Sequence, residues 1–361
     1  MPVSTPSTVP ASIESMPSMM SIPEPSNPTM TPSRPSSTEH VFTGAAADIA
    51  ALRDALAGAI VGQRRLIEQL LCGVLAGGHV LLEGLPGLGK THLAKGLARV
   101  LGVSTGRVQC TPDLMPADVT GSEMLSRDGG AEALRFAPGP VFANLVLVDE
   151  INRATPKTQA ALLEAMQEGQ VTQGGRSHPL PRPFWVVATQ NPIEIEGTYP
   201  LPEAQLDRFA VQLDLDFPDA DGLLALLDVS LDSEPADTLA PLLDQARLHA
   251  LIDLARAPLI AGPVKRAAVD LVLATHAPHG PATALRYGAG PRALQALLRC
   301  ARVHALMHGR PHVAFADLDA LALPCLRHRI VLGMDAALDG TTKAQVLADI
   351  VAGWQRDRAA G

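Results

Sequence analysis

A glycine-rich turn between a predicted strand and a predicted helix carries the clearest chemistry in this chain. Gly84, Gly89, Lys90 and Thr91 match the pattern G-x-x-x-x-G-K-[ST]. Glycines allow backbone N–H groups to approach a phosphate, the lysine adds a positive charge, and the threonine offers a hydroxyl to Mg²⁺. The following helix directs the positive end of its dipole at the same anion. The turn is therefore predicted to bind the phosphates of a nucleotide.

The residues on either side of this turn favour a phosphate loop over a chance cluster of glycines. An apolar strand is predicted from Val80 to Leu82, and a helix is predicted to begin at Lys90. This order of strand, turn and helix is the context that the motif requires. A dinucleotide fingerprint does not fit, because the third glycine after Gly87 and Gly89 would fall at position 92, where His92 stands.

Two acids end a second apolar strand, which runs from Asn144 to Glu150. A strand that is apolar on both faces is typical of a buried parallel sheet, and such sheets bind ligands at the carboxyl ends of their strands. Asp149 is predicted to hold Mg²⁺ through water, and Glu150 to polarise the attacking water. Acids at this position could instead complement a helix dipole. Their combination with the upstream turn favours the metal.

Three polar residues further along each have two interpretations. Asn191 follows a predicted strand and could hydrogen-bond a phosphate, although asparagine before proline is also a common turn former. Arg208 follows Asp207, and such neighbours ordinarily form a surface pair of little energetic value, unless a neighbouring subunit gives the arginine a catalytic task. Arg292 lies in the first turn of a predicted helix, where it opposes the dipole and needs an anionic partner. That partner is either a carboxylate or a nucleotide phosphate.

The composition is that of a globular protein with a low-complexity N-terminal stretch. The 361 residues include 47% hydrophobic and 18% charged residues, enough for two domains. The net charge of −8 argues against a general nucleic-acid surface. Four cysteines without a C-x-x-C pair are typical of reduced core residues. Since no apolar run reaches the ~18 residues of a membrane span and no signal peptide is evident, a soluble, cytoplasmic protein is expected.

The chain is predicted to divide into three parts. Residues 1–42, rich in Pro, Ser and Thr, form a disordered leader, either a flexible extension or a partner-binding arm. Residues 43–218 alternate strands and helices, as in an α/β domain with a parallel sheet. Residues 219–361 are rich in Ala and Leu and are predicted to be helical.

Four local predictions follow from the residue patterns. The first helix is predicted from Ala45, where apolar residues begin to recur at helical spacing. The Gly- and Pro-rich segment 111–140 is predicted to be an insertion without core elements. Residues 170–181 alternate around two glycines and predict a projecting hairpin. Pro324 is predicted to break or kink the helix in which it lies.

Several longer segments of the chain resemble the MoxR family of AAA+ ATPases. The phosphate loop alone is generic, whereas the block from Ala188 to Phe209 looks specific to this family. The resemblance covers roughly residues 45–355. Its main segments are Ile60–Gln63 (IVGQ), Gly78–Gly84 (GHVLLEG), Asp149–Ala154 (DEINRA), Ala188–Phe209 and Gly290–Ala293 (GPRA).

This resemblance implies an α/β fold, with an AAA+ P-loop core of parallel sheet flanked by helices and a helical lid that follows it. It also implies hydrolysis of ATP with Mg²⁺. Asn191 would be the sensor-1 residue, Arg208 an arginine finger for the neighbouring subunit's γ-phosphate, and Arg292 the sensor-2 residue of the lid. ATP would lie between the core and the lid, completed by the next subunit. The implied nucleotide contacts are Ile60, Val61, Gly62, Gln63, Gly84, Pro86, Gly87, Leu88, Gly89, Lys90, Thr91 and His92. The implied metal ligands are Thr91 and Asp149. The implied catalytic residues are Lys90, Glu150, Asn191, Arg208 and Arg292.

The resemblance further implies a homo-oligomer, a hexameric ring, that remodels, matures or activates a client protein. A protein with a von Willebrand factor A-type domain is the implied partner, and the segments 117–142 and 170–181 would face the ring pore or the client. Two alternatives remain, a nucleic-acid motor or loader and a slow regulatory scaffold. The acidic balance counts against the first, and the presence of Glu150 and Arg208 counts against the second. Val148 and Gly290 depart from the usual alanine and serine, but neither change removes a catalytic group.

Overall fold

Five parallel strands form the centre of the fold. The computed structural model describes residues 37–60, 62–128, 131–192, 197–218, 220, 222–224 and 238–360. The strands of the central sheet are β1 (His79–Gly84), β2 (Thr105–Gln109), β5 (Leu145–Asp149), β8 (Trp185–Gln190) and β9 (Phe209–Leu215). They lie in the order β2-β5-β8-β1-β9, and every neighbouring pair is parallel. Their C-terminal ends therefore share one edge, the carboxyl edge, and their beginnings share the opposite amino edge.

Alternate residues of the strands pack into two separate cores. In β1, Val80 and Leu82 belong to the larger core, whereas Leu81 belongs to the smaller one. All five residues of β5 are buried. This continuous burial confirms the prediction of a sheet covered on both faces.

Helices cover both faces of this sheet. The larger core lies under the first three helices, and the smaller core lies under the fifth. These helices and two short ones are α1 (Ser37–Ala59), α2 (Arg64–Leu75), α3 (Lys90–Val100), α4 (Pro116–Thr120), α5 (Pro156–Glu168) and α6 (Glu203–Leu206). The N-terminus of α5 is capped by Thr155, whose hydroxyl accepts a hydrogen bond from the Thr158 N–H.

The described chain after residue 237 is helical and shares the larger core. We call residues 238–360 the lid. Its helices are α7 (Gln245–Leu254), α8 (Gly262–Ala274), α9 (Pro291–Met307), α10 (Phe315–Leu326), α11 (Met334–Leu338) and α12 (Lys343–Ala360), and the strands β10 (Leu285–Tyr287) and β11 (Val331–Leu332) pair antiparallel. The core is continuous from α1 and α2 into α9 and α10, so the described residues form one compact unit. The predicted boundary between 218 and 219 stays a prediction, because residue 219 lies outside the described residues.

Two antiparallel hairpins lie outside the central sheet. One pairs β3 (Gly121–Asp128) with β4 (Ala131–Pro138), and the other pairs β6 (Gln170–Gln173) with β7 (Arg176–Pro179). The second hairpin was predicted. The first lies within 111–140, where no regular element was predicted. The prediction differs from the structure because the glycines and prolines in this segment mark the ends of elements rather than a continuous loop. The rings of Phe136 and His178 stack at 3.9 Å and join the two hairpins.

The first helix extends further than predicted. It begins at Ser37 rather than near Ala45, so residues 37–42 belong to a helix and not to the predicted leader. Phe42 is only 5% exposed and lengthens the apolar stripe by about one turn, which stabilises the extra helical residues. The remainder of the predicted leader, residues 1–36, lies outside the described residues.

Of the two predictions for Pro324, a break in the helix is wrong, and a kink stays a prediction. Helix α10 continues through Pro324 to Leu326. A proline has no N–H, so it cannot bond to the carbonyl oxygen of Ala320 four residues earlier. The side chain of Gln69 on α2 donates a hydrogen bond to that oxygen at 3.3 Å. A contact from another helix thus replaces the missing backbone bond.

The cysteines and the long helices were also the subject of predictions from the sequence. Cys72, Cys110, Cys300 and Cys325 are buried free thiols, as predicted. Among the described residues, no helix combines the length and the apolar character needed to cross a bilayer.

His79 links β1 to its neighbours as a neutral ring. The Val186 N–H donates to Nδ1 at 3.0 Å, so Nε2 carries the hydrogen and donates to the Met166 carbonyl oxygen at 3.2 Å. Burial lowers the pKa of His79 from 6.5 to about 4. Between these pH values the ring stays neutral in the folded protein and takes up a proton in the unfolded chain.

This difference predicts that the folded state loses stability as the pH falls from 6.5 towards 4. The free energy of unfolding, measured by chemical denaturation at several pH values, should fall less steeply over this range in His79→Phe than in the wild type. At pH 7 the variant should be less stable by about 1–3 kcal/mol, because the Val186 N–H and the Met166 carbonyl lose their partner. Equal slopes in the two proteins would contradict the prediction.

Candidate nucleotide-binding site

The glycine-rich turn joins β1 to α3 at the carboxyl edge. Gly87 and Gly89 both have a φ of 83°, in the left-handed region that favours glycine. Gly89 directly precedes α3 and has no side chain that could cap the helix, so a bound anion can serve as the partner of the first-turn N–H groups. At Gly84 a Cβ would lie 2.9 Å from the Leu215 carbonyl oxygen, so β9 leaves no room for a side chain there.

Lys90 and Thr91, the first two residues of α3, lie at the carboxyl edge, where Thr91 contacts the acid that ends β5. The Lys90 amine donates to the carbonyl oxygens of Gly84 at 2.6 Å and Gln190 at 3.3 Å, which holds it beside the turn. The Thr91 hydroxyl donates to Oδ1 of Asp149 at 3.3 Å. The side chain of Asp149 is only 7% exposed. The structure therefore brings Lys90, Thr91 and Asp149 together, as predicted.

A cation from the neighbouring strand faces the other oxygen of Asp149. Arg107 on β2 donates to Oδ2 through Nε at 3.0 Å and Nη2 at 2.9 Å, and its own side chain is 55% exposed. On the opposite side, Oδ1 faces the hydroxyls of Thr91 and Thr189. Carboxylate and hydroxyl oxygens are donors that suit Mg²⁺, so the residues present fit this ion.

Glu150 is held in an unusual backbone conformation. Its φ and ψ are 55° and 52°, and it has the only positive φ of a non-glycine residue in the described ranges. Such a conformation costs about 1–3 kcal/mol and is typical of functional sites. The Glu150 N–H donates to the Thr189 hydroxyl at 2.9 Å. Its carboxylate accepts from Gln109 at 3.2 Å and from Arg153 at 2.9 Å.

The other residues predicted at this edge lie beside the turn. Asn191 is 4% exposed at the end of β8, and its carbonyl oxygen accepts from the Asn152 amide at 3.5 Å. Gln63 donates to the Asp216 carbonyl oxygen at 3.1 Å, and Gly62 and Gln63 line a cavity of about 300 Å³. Ile60 is buried. Val61, predicted to contact the nucleotide with them, lies outside the described residues.

Arg208 and Arg292 lie at the amino edge, away from the turn. Arg208 precedes β9, whose first residue Phe209 pairs with His79 at the start of β1. Five residue steps along β1 separate that level from the P-loop, about 17 Å at the usual rise of a strand. Arg208 and Arg292 line one cavity of about 230 Å³ there. Neither arginine therefore lies near the phosphate loop of its own subunit.

The partner of Arg208 differs from the simplest sequence interpretation, whereas the partner of Arg292 is one of its two predicted alternatives. Nη1 of Arg208 donates to the Leu163 carbonyl oxygen at 2.8 Å rather than to Asp207. The Asp207 carboxylate lies 3.6 Å from Arg292 and 2.7 Å from Arg329. The structure thus gives Arg292 a carboxylate as its anion.

Sequence analysis missed four polar residues around the two acids. They are Arg107 and Gln109 on β2, Arg153 after β5, and Thr189 on β8. The residue pattern predicts strand β2 only at Val108 to Cys110, whereas the strand runs from Thr105 to Gln109 with Val108 as its one buried residue. Alternation of polar residues around Val108 is the signal that could have extended β2 and placed them beside the acids.

Known proteins resemble this chain over most of its length. The profile of the "ATPase family associated with various cellular activities (AAA)" matches residues 79–211, and the AAA lid domain matches 281–350. YeaC of Bacillus subtilis is 41% identical over 297 residues, 81% of this chain and 89% of that protein. Chaperone MoxR1 of Mycobacterium tuberculosis is 40% identical over 296 residues, 78% of this chain and 74% of its own. The crystal structure of a candidate ATPase from Cytophaga hutchinsonii has a TM-score of 0.79 at 35% identity, covering 88% of this chain and 97% of that one.

Fold, site and relatives agree with one another. The parallel sheet with its P-loop corresponds to the AAA core, and the helices after β9 correspond to its lid. The chain therefore belongs to the MoxR family of AAA+ ATPases.

Proposed function

We propose that this ATPase hydrolyses Mg²⁺-bound ATP to remodel, mature or activate a partner protein, as a hexameric ring of identical subunits in the cytoplasm. Each ATP is bound by one subunit and completed by its neighbour. The observation that carries this proposal is the separation of the two sets of charged residues. Lys90 and Glu150 lie at the carboxyl edge, whereas Arg208 and Arg292 lie at the amino edge.

The P-loop edge binds the nucleotide. Lys90 and the N–H groups of the turn neutralise the phosphates, and Gly62 and Gln63 contact the adenine in the neighbouring cavity. The same group of contacts includes Ile60, Val61, Gly84, Pro86, Gly87, Leu88, Gly89, Thr91 and His92.

Hydrolysis uses the two acids at the end of β5. Thr91 and Asp149 would hold Mg²⁺, which would supply positive charge beside the phosphates. Glu150 orients the attacking water and accepts its proton. Thr189 fixes the Glu150 backbone, and Asn191 hydrogen-bonds the γ-phosphate or the water. Such fixed groups suffice because phosphoryl transfer depends mainly on positioning and electrostatics.

Arg208 and Arg292 act on ATP bound to the adjacent subunit. A guanidinium about 17 Å from its own P-loop cannot reach the phosphates there, because an extended arginine side chain spans less than half of that distance. The cavity at the amino edge is also lined by Arg299 and Arg329, and its cationic character suits a phosphate. An arginine supplied in this way can raise turnover by ~10³-fold or more.

A protein is the proposed client, with a von Willebrand factor A-type protein as the partner. The relative MoxR1 is itself named a chaperone. The β3–β4 hairpin exposes Met124 (59%), Leu125 (61%) and Leu134 (66%), and exposed apolar side chains on a projecting element favour contact with protein. The net charge of −8 weighs against nucleic acid as the general partner.

Arg208→Ala should separate binding from hydrolysis. We expect the assembled variant to bind ATP with unchanged affinity, because Arg208 is remote from its own P-loop, and to turn over ATP ~10³-fold more slowly. Binding of a fluorescent ATP analogue, the kcat and the oligomer size in solution are the measurements. Wild-type turnover by a proven monomer would refute the assignment.

Thr189→Val should slow turnover without loss of nucleotide binding. The substitution keeps the shape of the side chain and removes the acceptor that holds the Glu150 N–H, so kcat should fall by about ten- to a hundredfold. Thr275→Val is the matched control. Thr275 is as buried as Thr189, and its hydroxyl accepts the Ala289 N–H at the same 2.9 Å, but in the lid. If both variants lose turnover equally, the effect is general destabilisation and the role of Thr189 is wrong.

The identity of the partner class can be tested by stimulation of the ATPase. Turnover is measured alone, with DNA, with RNA, and with a purified von Willebrand factor A-type protein from the same organism. We expect only that protein to raise the rate. Stimulation by nucleic acid would instead favour a motor or loader, and slow turnover under every condition would favour a regulatory scaffold. Lys90→Ala serves as the control for contaminating ATPases, because it loses the charge that binds the phosphates.

A further inference from the structure

A buried arginine of the lid forms hydrogen bonds with the segment that contains Arg208. Arg329 ends the short 3-10 turn Arg327–Arg329 after α10, and its side chain is only 3% exposed. Its contacts reach out of the lid to the junction between α6 and β9. This junction, residues 207–210, is called the finger segment below.

All five N–H donors of Arg329 are used. Nε donates to the Asp207 carboxylate at 2.7 Å. Nη2 donates to the backbone oxygens of Asp207 at 3.1 Å and Phe209 at 2.6 Å. Nη1 donates to the backbone oxygens of Ala210 at 3.1 Å and Cys325. A guanidinium has five such donors, so Arg329 has none left for a phosphate.

These bonds fix the backbone on both sides of Arg208. Arg329 bonds to the carbonyl oxygens of Asp207 and Phe209, the two residues that flank Arg208. The neighbouring lid residue His328 adds a contact from its Nε2 to the Phe209 oxygen at 2.9 Å. The Arg208 side chain is less constrained. It makes one hydrogen bond, to Leu163, and its buried Nε has no acceptor among the described residues.

The same contacts also occupy the carboxylate next to Arg208. Asp207 would otherwise be the nearest anion for that guanidinium. Instead Oδ1 accepts from Arg329 at 2.7 Å, while Oδ2 lies 3.6 Å from Arg292. The arrangement leaves Arg208 directed to the cavity at the amino edge that it lines with Arg292.

We infer that Arg329 is a positioning residue for Arg208. It holds the finger segment in register with the lid and keeps Asp207 from pairing with the finger. This inference rests on the proposed function of Arg208 and assigns to the lid a part in the activity of the neighbouring subunit's site. Only an arginine suits the role, because a lysine has the charge but not the planar set of donors in two directions.

Arg329→Lys tests the inference against a matched variant. We expect kcat to fall by about ten- to a hundredfold while KM and the affinity for an ATP analogue stay within about twofold, because the variant's own P-loop is untouched. Arg310→Lys is the control. Like Arg329, Arg310 donates to a carboxylate. Its Nη1 and Nη2 bond to the buried Asp317 at 2.9 and 2.6 Å, entirely within the lid. It should keep wild-type kcat.

Mixed oligomers show whether the loss acts through the finger. Co-expressed with Glu150→Gln, which cannot hydrolyse ATP but has an intact Arg208, Arg329→Lys should regain turnover above the sum of the two variants alone. Co-expressed with Arg208→Ala it should not. The mixture of Arg208→Ala with Glu150→Gln tests the finger itself, and failure of that mixture to gain activity would count against the proposed function rather than against Arg329.

Two outcomes overturn the inference. One is wild-type kcat in Arg329→Lys. The other is a loss that Glu150→Gln does not rescue although it rescues Arg208→Ala, since Arg329 would then act on its own site or on stability. If Arg329→Lys does not fold, Asp207→Asn tests the same link from the more exposed side. Nε of Arg329 would then face a neutral amide while its backbone bonds remain, so kcat should fall less than in Arg329→Lys, with the same rescue by Glu150→Gln. Wild-type turnover would reject the role of the Asp207 carboxylate, and a loss that Glu150→Gln does not rescue would reject the link itself.

Discussion

The common direction of the five strands is the constraint on which this site depends. Because β1, β5 and β8 are parallel and adjacent, the P-loop, the two acids and Asn191 must all lie at one edge. The same pairing places Arg208 at the other edge, where Phe209 is level with His79. A single subunit therefore cannot direct both sets of charges at one phosphate. The proposed sharing of ATP between subunits follows from strand direction.

The phosphate-binding edge was predictable from the sequence because its determinants are local. A glycine pattern followed by a lysine, or an apolar run that ends in two acids, needs only neighbouring residues to be recognised. Parallel pairing then supplies the long-range step, since it brings the ends of separate strands together without any specific side-chain contact. For this reason Thr91 contacts Asp149 at the end of β5, and Lys90 bonds to the ends of β1 and β8 at the same edge.

Contacts between distant segments were not predictable in this way. Adjacency in sequence suggested a pair of Asp207 with Arg208, whereas the folded chain gives that carboxylate to Arg329 and Arg292. A general rule predicted a break at Pro324, whereas Gln69 on another helix satisfies the freed carbonyl. In each case the deciding partner is a side chain more than eighty residues away. Residue patterns do not indicate such a partner, because it comes close only when the helices pack in the folded protein.

The protein's own contacts position both acids, and only the cationic partner of Asp149 is readily exchangeable. Gln109 and Arg153 hold the Glu150 carboxylate, and Thr189 holds its backbone in a conformation that costs about 1–3 kcal/mol. These contacts fix the acid where a water must be oriented. The Arg107 side chain, in contrast, is half exposed, and a pair with such a partner contributes little to stability. Replacement of Arg107 by the proposed Mg²⁺ would therefore cost little, while buried Asp149 keeps its place.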